Sequence, residues 1–113
     1  MKEIKAIIRP YRLDAVLDAL HSHAELPGVT VSFVRGFGRT VGRTTTTSQT
    51  PIQYGTVEMA KVECVVNDDQ VNAVVDIIQV AACTQSAGDG KIVVCNVTEV
   101  VKIRTGDRLR RIE

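Results

Sequence analysis

The segment 57-VEMAKVECVVNDDQVNAVVDIIQVAA-82 contains two hydrophobic periods in succession. From residue 57 to residue 66 apolar side chains alternate with polar or longer ones, as in a β-strand with one buried face. From residue 71 onward apolar residues recur at i, i+3, i+4 and i+7, as on one face of an α-helix. Between them, Asn67, Asp68 and Asp69 offer a helix cap and first-turn carboxylates. The expected apolar positions are Ala60, Val62, Cys64 and Val66 on the strand, and Val71, Val74, Val75 and Ile78 on the helix.

The N-terminal part of the chain repeats this order. Residues 2–9 alternate as a strand, and Pro10 ends that strand and suits the first turn of a helix. The helix that follows has the same apolar spacing and is expected to reach about His23. Residues 29–37 then alternate as a second strand of this half. The apolar positions are Ile4, Ala6 and Ile8, then Leu13, Val16, Leu17 and Leu20, then Val29, Val31 and Phe33.

Residues 91–104 form a long apolar run that predicts one closing strand. The order strand, helix, strand, loop, strand, helix, strand is a βαββαβ arrangement, the α+β, ferredoxin-like split βαβ fold. Both helices would cover one face of the sheet. The opposite face is expected to be apolar and to be buried against other copies of the chain. The residues that suggest this are Ile7, Val34, Val65 and Val100.

Two loops interrupt the pattern. Residues 38–56 show neither hydrophobic period and are rich in Thr and Ser. A loop this long in a compact domain is usually functional or disordered, and its length favours docking to a partner protein. Residues 82–90 form a loop of small residues that ends in Gly88-Asp89-Gly90. A basic C-terminal tail, 105–113, follows the last expected strand.

Composition narrows the class of protein. The 113 residues fit one domain, 1–113, and the net charge of +1 gives no general bias toward nucleic acid or membranes. We expect no signal peptide and no membrane insertion, since no apolar run approaches the length that spans a bilayer. Three cysteines without a C-x-x-C pair indicate a reduced, cytoplasmic protein.

Three short motifs follow one another at strand and loop boundaries. They are Gly36-Phe37-Gly38-Arg39, Thr84-x-x-x-Gly88-Asp89-Gly90-Lys91 and Ile103-Arg104-Thr105-Gly106. Each motif alone is weak, but the ordered set resembles the PII nitrogen-regulatory family over nearly the whole chain, from Lys2 to Gly106. The resemblance implies a homotrimeric signalling protein, not an enzyme, that binds ATP or ADP in clefts between subunits. It also implies that residues 38–56 are a T-loop that regulates a partner protein, for which a membrane transporter is one candidate.

The resemblance also assigns the ligand-binding residues. Lys102 and Arg104 would reach into the cleft from a neighbouring subunit, on the same face of an extended strand. Glycines allow close approach of backbone N–H groups to phosphates, and the cationic side chains supply donors. Lys102 stands where the family usually has Arg, so it lacks the bidentate fork. The expected set is Gly36, Phe37, Gly38, Arg39, Val65, Thr84, Gly88, Asp89, Gly90, Lys91, Lys102 and Arg104.

Several positions depart from the family pattern. Ile52 replaces the tyrosine that partner enzymes uridylylate, and Tyr54 stands in an unrelated context. Thr40 replaces the glutamine that helps hold Mg²⁺ and 2-oxoglutarate, and Met59 replaces the lysine that pairs with the 2-oxoglutarate carboxylate. A thioether cannot take the role of an ammonium. The chain is therefore expected to be a divergent PII-like member that does not sense 2-oxoglutarate, with its use of Mg²⁺ left open.

Two alternative functions remain open from the sequence. The first is a trimeric metal-handling protein, similar to the divalent-cation tolerance family, or a regulator of metal efflux. It would draw on the cysteines and on His21 and His23, although these residues are dispersed. Cys64, Cys83 and Cys95 are more simply read as buried or half-buried side chains. The second, weaker alternative is an enzyme acting on nucleotides, for which no catalytic group is identifiable.

Overall fold

The computed structural model describes residues 1–23, 26–37, 43–44 and 53–112. The two helices and the four strands of the main sheet appear in the order that the two hydrophobic periods predict. In chain order they are β1 (Lys2–Ile8), a 3₁₀ turn (Pro10–Arg12), α1 (Leu13–His21), β2 (Thr30–Gly36), β3 (Arg43–Thr44), β4 (Gln53–Tyr54), β5 (Val57–Val66), a second 3₁₀ turn (Asp68–Gln70), α2 (Val71–Ala82), β6 (Gly90–Asn96), β7 (Val100–Val101) and β8 (Arg108–Leu109).

Four strands form an antiparallel sheet in the order β2-β5-β1-β6. β1 is central and pairs with β5 on one side and β6 on the other, with Ile4 opposite both Cys64 and Val94. The two helices contact each other and pack against the sheet. This confirms the ferredoxin-like βαββαβ fold predicted from the sequence.

The core lies between the helices and one face of the sheet. Alternate residues of β1 and β5 are buried, and the helix stripes meet them at Val16, Leu20, Val74 and Ile78. Since every second strand residue and every third or fourth helix residue points inward, one apolar layer forms from both halves. The fully buried strand positions confirm the predicted faces of both strands: Ile4, Ala6, Ile8, Ala60, Val62, Cys64 and Val66.

The helix boundaries differ in detail from the sequence prediction. α1 ends at His21, two residues before the expected end. Asn67, Asp68 and Asp69 do not cap α2 through a side-chain hydrogen bond, and the helix begins instead from a 3₁₀ turn. The Asp68 carboxylate pairs with the Met1 ammonium at 3.0 Å, so its acceptor oxygen is directed to the chain terminus. Neither of these helices, nor any other described helix, has the length and apolar character needed to cross a membrane.

The prediction of one strand over residues 91–104 is wrong. β6 ends at Asn96, and the chain continues into a separate hairpin of β7 and β8. In that hairpin the Lys102 N–H donates to the Asp107 carbonyl at 2.9 Å, and the Gly106 N–H donates to the Lys102 carbonyl at 2.7 Å. Gly106 has φ of 75°, which lets the chain reverse. Arg104 therefore lies in a turn and Lys102 directly before it, so the two residues do not share one extended strand.

The sheet face opposite the helices is of mixed character, not uniformly apolar. Ile7, Val34 and Val65 are half-buried on this face, as expected, but Val100 belongs to β7 and lies outside the four-stranded sheet. The face also carries two ion pairs between side chains on the same strand. They are Lys5–Glu3 at 3.7 Å and Lys61–Glu63 at 3.4 Å.

A short ladder lies within the stretch predicted as the long loop. Arg43 pairs with Tyr54 and Thr44 with Gln53 in an antiparallel arrangement. Two residues per strand are too few to produce a detectable hydrophobic period. The other positions on which the sequence analysis relied in this stretch, including Thr40 and Ile52, lie outside the described residues.

Candidate functional site

An open cleft of about 470 Å³ lies at one end of the four-stranded sheet. Antiparallel pairing brings the end of β1 beside the start of β6, with Ile7 opposite Lys91, and the end of β2 beside the start of β5, with Gly36 opposite Val57. The cleft therefore collects residues from four strands and from the loop before β6. Five of the residues predicted from the sequence line it: Gly36, Phe37, Gly88, Gly90 and Lys91.

Two glycines shape this cleft because their backbone conformations and surroundings disfavour a side chain. Gly90 has φ of 105°, and a Cβ atom placed there would lie 1.8 Å from the backbone carbonyl oxygen of Ile7. Gly88 has φ of 91°, and its added Cβ would lie 3.2 Å from Nη2 of Arg9. Both values of φ favour glycine strongly. At Gly36, in contrast, nothing lies within 4 Å of an added Cβ, which leaves open space beside its backbone.

Asp89 organises the loop between α2 and β6. Its carboxylate accepts hydrogen bonds from the Thr84 N–H at 2.7 Å, the Thr84 hydroxyl and the Ser86 N–H at 3.3 Å. The Nε of Arg9 donates to the same carboxylate at 2.9 Å. Bonds from Thr84 first, and from Arg9 next, hold the pKa of Asp89 far below its usual range. The side chains of Asp89 and Thr84, both expected at the ligand, are thus engaged within the loop, and neither residue lines the cleft.

Arg9 is a residue of this cleft that the sequence analysis did not select. Besides the bond to Asp89, which raises the pKa of Arg9, its Nη2 donates to the Ala87 carbonyl at 2.7 Å. Arg9 also lines the cleft, beside Tyr11 and Met59. The partners of Arg9 lie about eighty positions away in sequence, so no local period could reveal them. The only sequence signal is a basic residue placed at the end of a strand, directly before Pro10.

Three more of the predicted residues, Val65, Lys102 and Arg104, do not lie in this cleft. Val65 lies on β5, opposite Glu3 of β1. It is six residues from the cleft residue Met59, a distance of about 20 Å along a strand. Lys102 and Arg104 are exposed near the turn between β7 and β8. Gly38 and Arg39 lie outside the described residues. Within one chain, the described members of the expected set thus fall into a group in the cleft and a group away from it.

The charged side chains of the described cleft are of both signs, and Lys91 is the cation among them that forms no ion pair. Lys91 is exposed and lines the cleft, while the charge of Arg9 is compensated by Asp89. Glu58 also lines it, and Met59 contributes no charge. Gly88 and Gly90, both of positive φ, line the cleft without side chains, so a ligand can approach their backbone closely. The arrangement can hold a phosphate group between the loop and the Lys91 ammonium.

The described residues offer no comparable arrangement for a metal ion: no three His, Cys, Asp or Glu side chains among them are grouped suitably. Cys64 is buried, as expected, and burial raises the pKa of its thiol, with a smaller contribution from Glu3. Cys83 and Cys95 are exposed, which corrects the expectation that all three cysteines are buried or half-buried. Cys83 follows α2, and Cys95 lies on the edge strand β6, so neither is covered by the core.

Comparison with known proteins adds a second kind of observation. The family model described as Nitrogen regulatory protein P-II matches residues 1–107. The chain is 47% identical over 108 residues to the Nitrogen regulatory protein P-II of Nostoc punctiforme, covering 96% of each chain. It is 44% identical over 107 residues to that of Mesorhizobium japonicum, covering 95% of each. It is 46% identical over 107 residues to Nitrogen regulatory protein P-II 2 of Methanothermobacter thermautotrophicus, covering 95% of this chain and 92% of the relative.

Proposed function

The chain belongs to the P-II nitrogen regulatory protein family, and from that premise we propose that it is a signalling protein that binds adenine nucleotides, ATP or ADP, in the cleft. The observation that carries this proposal is the convergence of Gly88, Gly90 and Lys91 on one open cleft. In many proteins the backbone N–H groups of glycine-rich loops donate to phosphate oxygens. A lysine ammonium adds positive charge beside them. The relatives are named as regulators, and we propose no catalytic step for this chain.

The separation of the expected residues into two sets supports a homotrimer with shared sites. Val65, Lys102 and Arg104 lie away from the cleft of their own chain. A neighbouring copy would bring its own Lys102 and Arg104 to the open side of the cleft, where they would meet the phosphates opposite Lys91. Exposed apolar side chains near these cations, Val101 and Ile103, also favour burial against a second chain.

The position of the cleft suggests how the signal leaves it. Gly36 and Phe37 line the cleft and lead directly into residues 38–56. A nucleotide bound against them would favour some conformations of that loop over others, and so change its fit to a partner protein. A membrane transporter is one candidate partner. We propose a cytoplasmic location, no binding to nucleic acid and no insertion into the membrane.

Met59 lies where a second ligand, 2-oxoglutarate, would need a cation. It lines the cleft where, by resemblance, the family has a lysine for the 2-oxoglutarate carboxylate. Without that ammonium we expect 2-oxoglutarate to leave nucleotide binding unchanged. The same titration, run with and without Mg²⁺, tests whether nucleotide binding requires the ion.

The test is isothermal titration calorimetry with ATP, ADP and AMP. Lys91→Ala removes a charged donor, so we expect nucleotide affinity to fall about 10- to 100-fold, which corresponds to a charge-assisted hydrogen bond. Lys5→Ala is the matched control, because Lys5 lies on the same sheet face but outside the cleft, and it should bind like the wild type. Absence of adenine-nucleotide binding in the wild-type protein would overturn the proposal.

A further inference from the structure

The guanidinium of Arg9 joins the end of β1 to both sides of one glycine in the loop. Its Nη2 donates to the carbonyl of Ala87 at 2.7 Å, and its Nε donates to the carboxylate of Asp89 at 2.9 Å. Gly88 stands between these two residues, with φ of 91°. Residues directly before and after Gly88 are therefore held by a single planar group from another part of the chain.

The contacts of Asp89 extend this connection through the rest of the loop. The same carboxylate accepts from the N–H and the hydroxyl of Thr84 and from the N–H of Ser86. A single ion pair between Arg9 and Asp89 thus links β1 to loop positions from Thr84 to Asp89. Because Gly88 has no side chain of its own to pack, this network is what restricts its conformation.

We propose that Arg9 is a positioning residue of the nucleotide site, acting through Asp89 and Ala87 to hold Gly88 in the conformation that presents backbone to a phosphate. This inference rests on the proposed function of the cleft. The planar fork of Arg makes two bonds in different directions at once, whereas a lysine ammonium cannot reproduce that geometry. Arg9 is assigned to the loop, and Lys91 to the ligand.

A direct role of Arg9 as a phosphate ligand fits the contacts less well. Its Nε and Nη2 are both engaged by the loop, and its charge is balanced by Asp89 at 2.9 Å. Turning toward a phosphate would break both bonds and leave the half-buried Asp89 carboxylate without its cation. If Arg9 keeps its bonds to Asp89 and Ala87 while the ligand binds, its contribution is to hold the loop.

The two roles are separated by a double-mutant cycle on ADP affinity, measured by calorimetry with Arg9→Gln, Asp89→Asn and the double variant. If Arg9 acts through Asp89, each single change weakens ADP binding about tenfold or more, and the double variant binds no more weakly than the weaker single variant. Additive losses would overturn the proposal, because they would mean that Arg9 and Asp89 act independently. Unchanged ADP affinity in Arg9→Gln would overturn it as well.

Arg12→Gln is the matched control. Arg12 comes from the same segment and donates through Nε and Nη2 to the Ala81 carbonyl, at 2.9 and 2.5 Å, and these two bonds do not reach residues 84–89. It should keep ADP affinity close to that of the wild type. A loss equal to that of Arg9→Gln would show a general effect of destabilising this end of α2, and would overturn the specific role of Arg9.

Arg9→Lys provides a milder variant that keeps the charge and is expected to fold. It should still weaken ADP binding, since it loses the fork, and an affinity equal to that of wild type would contradict positioning by geometry. Amide hydrogen exchange without any nucleotide gives an independent measurement: Arg9→Gln should speed exchange at Ser86 and Asp89, whose amides donate within this loop. Faster exchange in a protein that binds no nucleotide would reject the proposed function while keeping the loop restraint, and unchanged exchange would reject the restraint itself.

Discussion

At the scale of single residues, Gly90 matters to both the cleft and the sheet, because it lines the cleft and has no room for a Cβ beside β1. A Cβ there would lie 1.8 Å from the Ile7 carbonyl oxygen, and φ is 105°. Neither β1 nor β6 can move without breaking their ladder. We expect Gly90→Ala to lower the free energy of unfolding by more than about 3 kcal/mol, as substitutions at strained, crowded positions do.

Urea denaturation checks this expectation for Gly90. Gly28→Ala serves as the control, since nothing lies within 4 Å of a Cβ at Gly28 and no positive φ constrains it. That variant should be as stable as the wild type or slightly more stable. Equal stability of the two variants would show that β1 and β6 tolerate a side chain at Gly90.

Asp89 predicts a dependence of stability on pH. Its pKa is held far below the usual value of about 3.9 by the bonds from Thr84 and Arg9. A depressed native pKa stabilises the folded state above the unfolded pKa, and this contribution disappears as the pH falls toward the native one. The wild type should therefore lose thermal stability as the pH falls below about 4.

The comparison that isolates Asp89 is the melting temperature of Asp89→Asn, measured from pH 7 to pH 2. The variant should melt below the wild type at pH 7, and the difference should shrink in acid. Asp68, whose pKa is also lowered, is present in both proteins and cancels in the difference. A gap between the two proteins that stays constant over this range would contradict the assignment of the stabilising contacts to the ionised Asp89.

The residue scale also shows what could be predicted of the site. The resemblance to the PII family placed Gly88, Gly90 and Lys91 in the expected set, and the structure brings these three residues to one cleft. Arg9 was missed because its bonds to Ala87 and Asp89 cross the whole domain. Such contacts depend on the pairing of β1 with β6, which composition and spacing do not specify.

At the scale of elements, the C-terminal segment is attached through Asn67 to the residues just before the second 3₁₀ turn. The Asn67 Nδ2 donates to the Ile112 carbonyl, and the Ile112 N–H donates to Asn67 Oδ1, both at 2.8 Å. An ion pair between Arg111 and Asp69 at 3.6 Å lies alongside. The Asn67 side chain thus bonds both the N–H and the carbonyl of Ile112, as a neighbouring β-strand would.

We expect Asn67→Ala to release this segment. The loss of two partly buried hydrogen bonds should cost about 1–2 kcal/mol locally, which makes trypsin cleavage after Arg110 and Arg111 roughly tenfold faster. Asn72→Ala is the control, since Asn72 is an exposed residue of α2. Equal cleavage rates in the two variants would mean that Asn67 does not hold the segment.

The predicted elements succeeded where a single period runs without interruption. β1, β5 and both helices were identified from alternation or from the helical stripe, and the burial of Ile4, Val62 and Val74 agrees. The closing strand failed because apolar residues continue on both sides of the break at 97–99. The reversal depends on Gly106 and on the hydrogen bond from Lys102 to Asp107, and neither changes the hydrophobic pattern.

At the scale of the whole molecule, a shared site predicts complementation between chains. In the proposed homotrimer, Lys91→Ala and Arg104→Ala would each damage every site of their own trimer, from opposite sides. Unfolding the two variants together and refolding them as mixed trimers should restore about one quarter of the sites, in which both contributing chains are intact at the relevant residue.

Nucleotide titration of the refolded mixture, with light scattering to measure its mass, checks this prediction. The mass should be three times the 12.3 kDa of one chain. Each variant refolded alone is the control and should remain defective. A mixture that binds no better than either variant would place Lys91 and Arg104 in sites that are not shared between chains.

The central place of β1 in the sheet has a consequence for the synthesis of the chain. β1 leaves the ribosome before both of its neighbours, Val57–Val66 and Gly90–Asn96, which are made much later. The hydrogen-bonding edges of β1 therefore have no partner strands until β5 and β6 have been translated. Because the sheet closes through contacts distant in sequence, we expect the nascent protein to complete this sheet only after β6 has been translated, and until then to expose surface that a chaperone can bind.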